Sequence, residues 1–220
     1  MMFVDRTDAA IKLARALSAY RDRNALVLAI PRGAVPMGRL VARELRAELD
    51  VVLVRKLRAP FSPEFAVGAI DENGWTYLAP HAAQAGADPK HLEAEKSLQM
   101  RALRERRAAY TPHRPPIDPA GRIVIVLDDG LATGATMIAA LHAVRARGPA
   151  RLVCAVPVAP PDSIEVVRPY CDEIVSLHTT PDFEAVGQFY AHFEQVEDDE
   201  VIRLLADHAG HRGDHSPDQA

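Results

Sequence analysis

Two cysteines, Cys154 and Cys171, are too few for a disulfide framework, so the chain is expected in a reducing compartment, the cytoplasm. The longest apolar run, residues 25–30, falls far short of the ~20 residues that a membrane span needs, and no membrane partner is expected. The opening Met1-Met2-Phe3-Val4-Asp5-Arg6 has no apolar core of the kind a secretory leader carries. Positive charge is not in excess: 26 Lys and Arg stand against 30 Asp and Glu, a net charge of −4. That balance argues against an obligate, strongly basic nucleic-acid binder, and nucleic acid is not expected as a partner. The sequence shows no internal repeat and no low-complexity block.

What remains is the composition of an ordinary globular protein, 48% apolar and 25% charged over 220 residues. A chain of this length buries a sizeable core without staples. Residues 1–209 are expected to form one domain, followed by a polar tail over 210–220. Continuous apolar runs at 26–30, 51–54 and 123–127 read as strands buried on both faces, and 152–158 and 173–177 read as further strands. Helical spacing marks 5–20, 36–47, 88–110, 136–147 and 197–208, with a short helix between the last two strands. Residues 67–78 read as a hairpin turning at Asn73-Gly74. This alternation predicts an α/β fold with a mainly parallel central sheet flanked by helices. In such sheets ligands bind beyond the carboxyl ends of the strands, so the residues just after strands are the first candidates for chemistry.

The strand at 123–127 ends in Asp128-Asp129, followed by Gly130, Leu131, Ala132, Thr133, Gly134, Ala135 and Thr136 and then a helix. Adjacent carboxylates repel one another and resist burial, unless a polyhydroxyl ligand or a cation lies against them. The loop suits a phosphate. Its glycines let the backbone approach, Thr133 and Thr136 offer hydroxyls, and the amides of a helix start favour an anion. Together these residues predict a sugar-phosphate site, with the acidic pair on ribose hydroxyls and the loop on the 5-phosphate. The Walker phosphate loop is excluded because no Lys follows Gly134, and the dinucleotide fingerprint Gly-x-Gly-x-x-Gly is absent. A receiver domain would carry its acidic pair after the first strand.

At these residues the sequence resembles the type I phosphoribosyltransferases, whose signature is a hydrophobic strand, two acidic residues and a Thr-Gly-x-Thr loop that binds phosphoribosyl pyrophosphate (PRPP). Ile30-Pro31-Arg32-Gly33-Ala34-Val35-Pro36 resembles the family's pyrophosphate loop, with Ala34 departing where relatives often have a second Gly. Val54-Arg55-Lys56 resembles the basic end of the next strand, also facing pyrophosphate. From Phe3 to about Val201 the chain is similar to one branch, the bacterial stand-alone predicted phosphoribosyltransferases, whose acceptor the resemblance does not supply.

The resemblance implies the type I phosphoribosyltransferase fold with a small hood, formed in part by about 178–196. It implies Mg²⁺-dependent transfer of the phosphoribosyl group to a small-molecule acceptor, a nitrogenous base, with release of pyrophosphate. The expected PRPP-binding residues are Arg32, Gly33, Asp128, Asp129 and 130–136. Asp128, Asp129, Arg55 and Lys56 are expected to act in catalysis. Magnesium is expected to be held mainly by PRPP and water, with no protein ligand assigned. A homodimer is expected, and a flexible lid over about 57–66. Four of the twelve aromatics, Phe183, Phe189, Tyr190 and Phe193, cluster near the C-terminal end. Phe183 or Tyr190 is expected to stack the acceptor, while the i, i+4 spacing of Phe189 and Phe193 is equally that of a helix packed on the core.

Other features read more plainly. Arg101, Arg104, Arg106 and Arg107 read as a solvated helix face, Cys154 and Cys171 as structural thiols, and His208, His211 and His215 as part of a polar tail. The alternative to an enzyme is a PRPP-sensing regulator that binds nucleic acid or a partner through the same fold. A hydrolase with water as acceptor is a third reading.

Overall fold

The central sheet of the computed structural model, which describes residues 2–112 and 114–210, is parallel and five-stranded, and four of the five expected strands enter it. Its strands are β1 (Leu26–Ala29), β2 (Glu48–Val51), β6 (Ile123–Leu127), β7 (Arg151–Ala159) and β8 (Glu173–Thr179), in the order β2-β1-β6-β7-β8. The sheet is buried on both faces. Val27, Ala29, Ile125, Leu127, Val153 and Ala155 pack into one core, and Leu26, Leu28, Val124, Val126, Leu152 and Cys154 into another. The period-2 alternation is therefore present but hidden, because both faces are apolar.

Helices α1 (Arg6–Ala16), α2 (Ala34–Leu45) and α6 (Asp198–Gly210) contribute to the first core, and α4 (Ala135–Arg145) and α5 (Pro161–Val167) to the second. Asp5 caps α1, its carboxylate accepting from Asp8 N at 2.8 Å. The remaining long helix, α3 (Pro89–Tyr110), is capped by Asp88 and begins on a proline, the first-turn position that needs no amide donor.

The strand expected at 51–54 is corrected. β2 ends at Val51, and Val54 opens β3 (Val54–Ala59), which pairs antiparallel with β4 (Ser62–Asp71). β4 then pairs with β5 (Thr76–Leu78), so the expected hairpin is part of a separate three-stranded sheet. The uniformly apolar run 51–54 carries no mark of the point where the chain changes sheets. The segment 57–66, expected to serve as a lid, is folded as a β-hairpin with register shifts between Leu57 and Ala59. Pro60 and Pro63 read as loop punctuation, yet both fall where the register leaves residues unpaired, so their missing amides cost no ladder bond. Gly210, the first residue assigned to the tail, is the last residue of α6. Residues 211–220, with His211 and His215, and the side chain of His208 lie outside the described residues.

The helix spacing of Phe189 and Phe193 is also corrected. A single 3-10 turn spans Val186–Phe189, and Tyr190 is extended. Phe3 N donates to Phe189 O at 2.7 Å, Ala191 N to Phe3 O at 2.8 Å and His192 N to Val4 O at 2.9 Å. The N-terminal segment is thus part of the structure beside the sheet end, next to the 178–196 stretch expected to supply part of the hood.

Candidate functional site

The chain builds β1 and then β2 on one side of β1, and later places β6 on its other side. Strand order therefore reverses between β1 and β6, and the crevice beyond such a reversal is where open α/β sheets bind ligands. Two predicted segments meet there. Pro31-Arg32-Gly33 follows β1, Asp128-Asp129 follows β6, and Ile30 N donates to Leu127 O at 2.9 Å between them.

Burial pushes the Asp128 carboxyl well above the usual carboxylate range, and the neighbouring Asp129 charge adds to it. Burial also raises Asp129, but Arg6 opposes that rise. The Arg6 Nε and Nη2 groups both donate to Asp129 Oδ2, at 3.0 and 2.8 Å. Arg6 Nη1 donates to the Glu194 carbonyl, and the guanidinium lies 3.9 Å from the centre of the Phe193 ring. On the backbone side of the same aspartate, Tyr190 Oη donates to Asp129 O at 2.6 Å. One carboxylate and one carbonyl of Asp129 are thus held by residues remote in sequence.

Gly33 has an ordinary helical φ of −56°, so its lack of a side chain is a matter of space. A Cβ there would overlap Asp129 Oδ2 and stand 3.0 Å from Arg6 Nη2. Gly134 answers a different need. Its φ is +83°, the left-handed region, as it turns the loop into α4. The first helical bond runs from Ile138 N to Gly134 O at 2.8 Å, so the amides of Ala135, Thr136 and Met137 precede the ladder. Leu131 N bonds Val158 O at 2.9 Å and Ser163 Oγ donates to Ala132 O, which ties the loop to β7 and α5. Ala132 and Thr133 are exposed, Thr136 half-buried, and Gly130, Leu131, Gly134 and Ala135 buried.

Beside the loop lies a cavity of about 310 Å³ whose wall includes Thr136, Pro31, Arg55, Lys56, Arg58 and Arg106. Burial, and then the charges of Arg106 and Arg58, hold the Arg55 guanidinium below its usual range. Cations crowded in this way favour an anion among them. Arg55 is aimed by α3: its Nε donates to Gln99 Oε1 at 2.9 Å, and Gln99 Nε2 to Glu95 Oε1 at 2.9 Å. Gln99 and Glu95 are among the buried polar residues.

The structure therefore gathers Asp128, Asp129, the 130–136 loop, Gly33, Arg55 and Lys56 at one sheet end. Arg32 stands at its margin, with Nη1 3.2 Å from Glu197 Oε2 and 3.7 Å from Asp198 Oδ2. The reading of the Arg run as one solvated face is corrected. Arg106 faces the cavity, and Arg107 is tied to Glu72 at 2.7 Å and to the Val51 carbonyl at 3.1 Å. Tyr190, expected to stack the acceptor, is 5% exposed, its ring packs on Phe3 and Phe193, and its hydroxyl donates to the Asp129 carbonyl. Phe183 packs on Phe189 with ring centres 5.2 Å apart. Arg6 escaped the sequence reading, and Arg58 and Arg106 were not assigned to the site. Only the run of four arginines pointed near one of them.

A family model, the phosphoribosyl transferase domain, matches residues 4–194. Two curated proteins of Mycobacterium tuberculosis, named "Putative phosphoribosyl transferase Rv0571c" and "Putative phosphoribosyl transferase MT0597", are each 42% identical over 205 residues, covering 93% of this chain. The match covers 46% of each, so the chain spans less than half the length of these relatives. The crystal structure of TT1426 from Thermus thermophilus superposes with a TM-score of 0.79 at 45% identity, covering 94% of this chain and 99% of that one.

Proposed function

The chain belongs to the phosphoribosyl transferase domain family, and from that premise we propose that it moves the phosphoribosyl group of PRPP to a nitrogenous base, releasing pyrophosphate. One juxtaposition supports this reading above the others. Thr136 sits both in the first turn of α4, directly after the loop that follows the acidic pair, and in the wall of the cationic cavity. A 5-phosphate on the loop brings the ribose hydroxyls to Asp128 and Asp129 and the pyrophosphate to Arg55, Lys56 and Arg106, with Arg32 and Gly33 at its margin.

In this reading the acceptor nitrogen bonds to C1 of the ribose as the bond from C1 to the pyrophosphate oxygen breaks. The bonding pair leaves with pyrophosphate, and the nitrogen gives up its proton to solvent. The ring passes through a cation-like state. The acidic pair orients the sugar and favours that charge, and the arginines and Lys56 take up the charge on the leaving group. A preorganised charge partner of this kind is typically worth about 10²–10³ in rate. Among the described residues no three His, Cys, Asp or Glu side chains are placed to hold a metal. In this reading magnesium comes with the substrate, held by PRPP oxygens and water, and supplies charge neutralisation at the leaving group. A cytoplasmic homodimer belongs to the same proposal. Among the described residues no helix is long and apolar enough to cross a membrane.

The regulatory alternative drew on the arginine run. With Arg106 in the cavity and Arg107 in ion pairs, that run leaves less free basic surface than the sequence suggested. The test is pyrophosphate release from PRPP and Mg²⁺, with and without each of a panel of bases. Release that depends on one base supports the transferase. Binding of PRPP without release under any base supports the regulator, and release independent of every base supports the hydrolase.

A further inference from the structure

We propose that Arg6, at the start of α1, is a positioning residue of this site, which holds the Asp129 carboxylate charged and aimed at the ribose. The inference rests on the PRPP reading above and adds to it a residue from a part of the chain outside every recognised motif.

Asp129 needs such a partner. It sits beside Asp128, and two largely desolvated carboxylates this close do not both ionise without compensation. Arg6 gives Asp129 two N–H bonds on a single oxygen, Oδ2, and none on Oδ1, while the Asp128 carboxyl is the other side-chain partner of Asp129. The asymmetry divides the work of the pair. Asp128, which Arg6 does not touch by hydrogen bond, is the member whose proton is held more tightly. The other titratable groups facing the pair are Lys56, from β3, Tyr190, whose hydroxyl is on the Asp129 carbonyl, and the buried Cys154 thiol beside Asp128.

Arg6 is also fixed rather than poised to leave. It has a third hydrogen bond, to the Glu194 carbonyl, and a ring face under its guanidinium from Phe193. Its side chain is 14% exposed. The preceding residues Phe3 and Val4 are bonded to 189–192 through three backbone hydrogen bonds, which set the height of residue 6 above the sheet end. Gly33 completes the arrangement, because any side chain there would occupy the space in which Arg6 meets Asp129. A buried ion pair is weak support for stability on its own. The combination of a bidentate donor, a stacked ring and a glycine cleared for both partners is explained by a requirement on Asp129 itself.

A double-mutant cycle read by calorimetric binding of Mg-PRPP tests this directly. Arg6→Ala is expected to weaken PRPP binding about tenfold or more in the wild-type background, and less than twofold in an Asp129→Asn background. Arg6→Lys, which keeps the charge but not the fork, is expected to recover part of the loss. Where Arg6→Ala lowers the yield of folded protein, Arg6→Lys and Phe193→Leu carry the same cycle. Equal losses in both backgrounds overturn the proposal, since Arg6 then acts independently of Asp129. Tighter binding by Arg6→Ala also overturns it, since Arg6 then competes with the ribose. A wild-type protein that binds no PRPP overturns the functional reading first, and this inference with it.

Discussion

Gly33→Ala separates this account from ordinary expectation by sign. At φ −56° and ψ −32° an alanine is unstrained, and the residue directly precedes α2. A glycine in such a conformation usually gains about 0.4–1 kcal/mol of stability when replaced by alanine, through loss of unfolded-chain entropy. The structure predicts the opposite. The added Cβ would overlap Asp129 Oδ2 and crowd Arg6 Nη2 at 3.0 Å. Neither neighbour is the free end of a mobile side chain, because each is held by the other. Overpacking of this kind costs about 1–3 kcal/mol, and in a protein of this size each kcal/mol lowers the melting midpoint by about 2–4 °C. Displacing Asp129 also forfeits a charge-assisted hydrogen bond to the ribose, about 1.5–3 kcal/mol, or tenfold and more in PRPP affinity. Gly74→Ala is the control. Its φ is +92° with nothing within 4 Å, so it costs about 1–2 kcal/mol of backbone strain and leaves PRPP affinity unchanged. Thermal melts and calorimetric titration with Mg-PRPP read both quantities. A Gly33→Ala protein that melts at or above the wild-type temperature and binds PRPP normally refutes the reasoning.

Gly134→Val places a β-branched residue at φ +83° with its Cβ 3.0 Å from Val167, and is expected to abolish PRPP binding, while Cys171→Ser changes it less than twofold. Equal effects of the two in titration would remove the loop from the site. Tyr190→Phe keeps the ring and strands the Asp129 carbonyl, so it is expected to lower stability by about 1–3 kcal/mol with unchanged acceptor preference. A shifted preference at wild-type stability would restore Tyr190 to the acceptor. Asp128 holds its proton more tightly in the folded protein than in the unfolded one. Wild-type stability therefore falls as pH climbs from the ordinary carboxylate range to the raised native value, and stays lowered above it. Asp128→Asn lacks that slope, so its melting temperature relative to wild type is expected to be higher at pH 7.5 than at pH 4. The reverse order in parallel melts would contradict the burial of a charged pair.

The parts of the fold that were legible are those whose cause is local. β6 and the loop after it occupy fourteen consecutive residues, so the buried strand, the acidic pair and the glycine that turns into α4 all lie within one short stretch. Except for β2, whose Glu48 and Asp50 interrupt it, the central strands were readable because sheets covered on both faces leave apolar runs. The change of sheet at Val52-Leu53 was not, because the run is apolar on either side of it. The prolines at 60 and 63 pointed to a loop, although a hairpin tolerates them wherever pairing lapses. Arg6 is 123 residues from Asp129, and an arginine in the first turn of an amphipathic helix is commonplace by itself. Arg106 was hidden among neighbours of the same charge, and only packing of α3 against β3 decides which of them faces the cavity. Tyr190 was read for its ring, whereas its hydroxyl is what the site uses.

The central claim is that the 128–136 segment and the adjoining cations bind PRPP as one substrate. A crystal structure of the complex with Mg-PRPP tests it most directly. The account predicts the 5-phosphate within hydrogen-bond reach of the amides of Thr133, Gly134, Ala135 and Thr136, with the ribose hydroxyls on Asp128 and Asp129. It also predicts the pyrophosphate in the cavity bounded by Arg55, Lys56 and Arg106. PRPP seated elsewhere on the protein, with that loop and cavity free of phosphate, would contradict it.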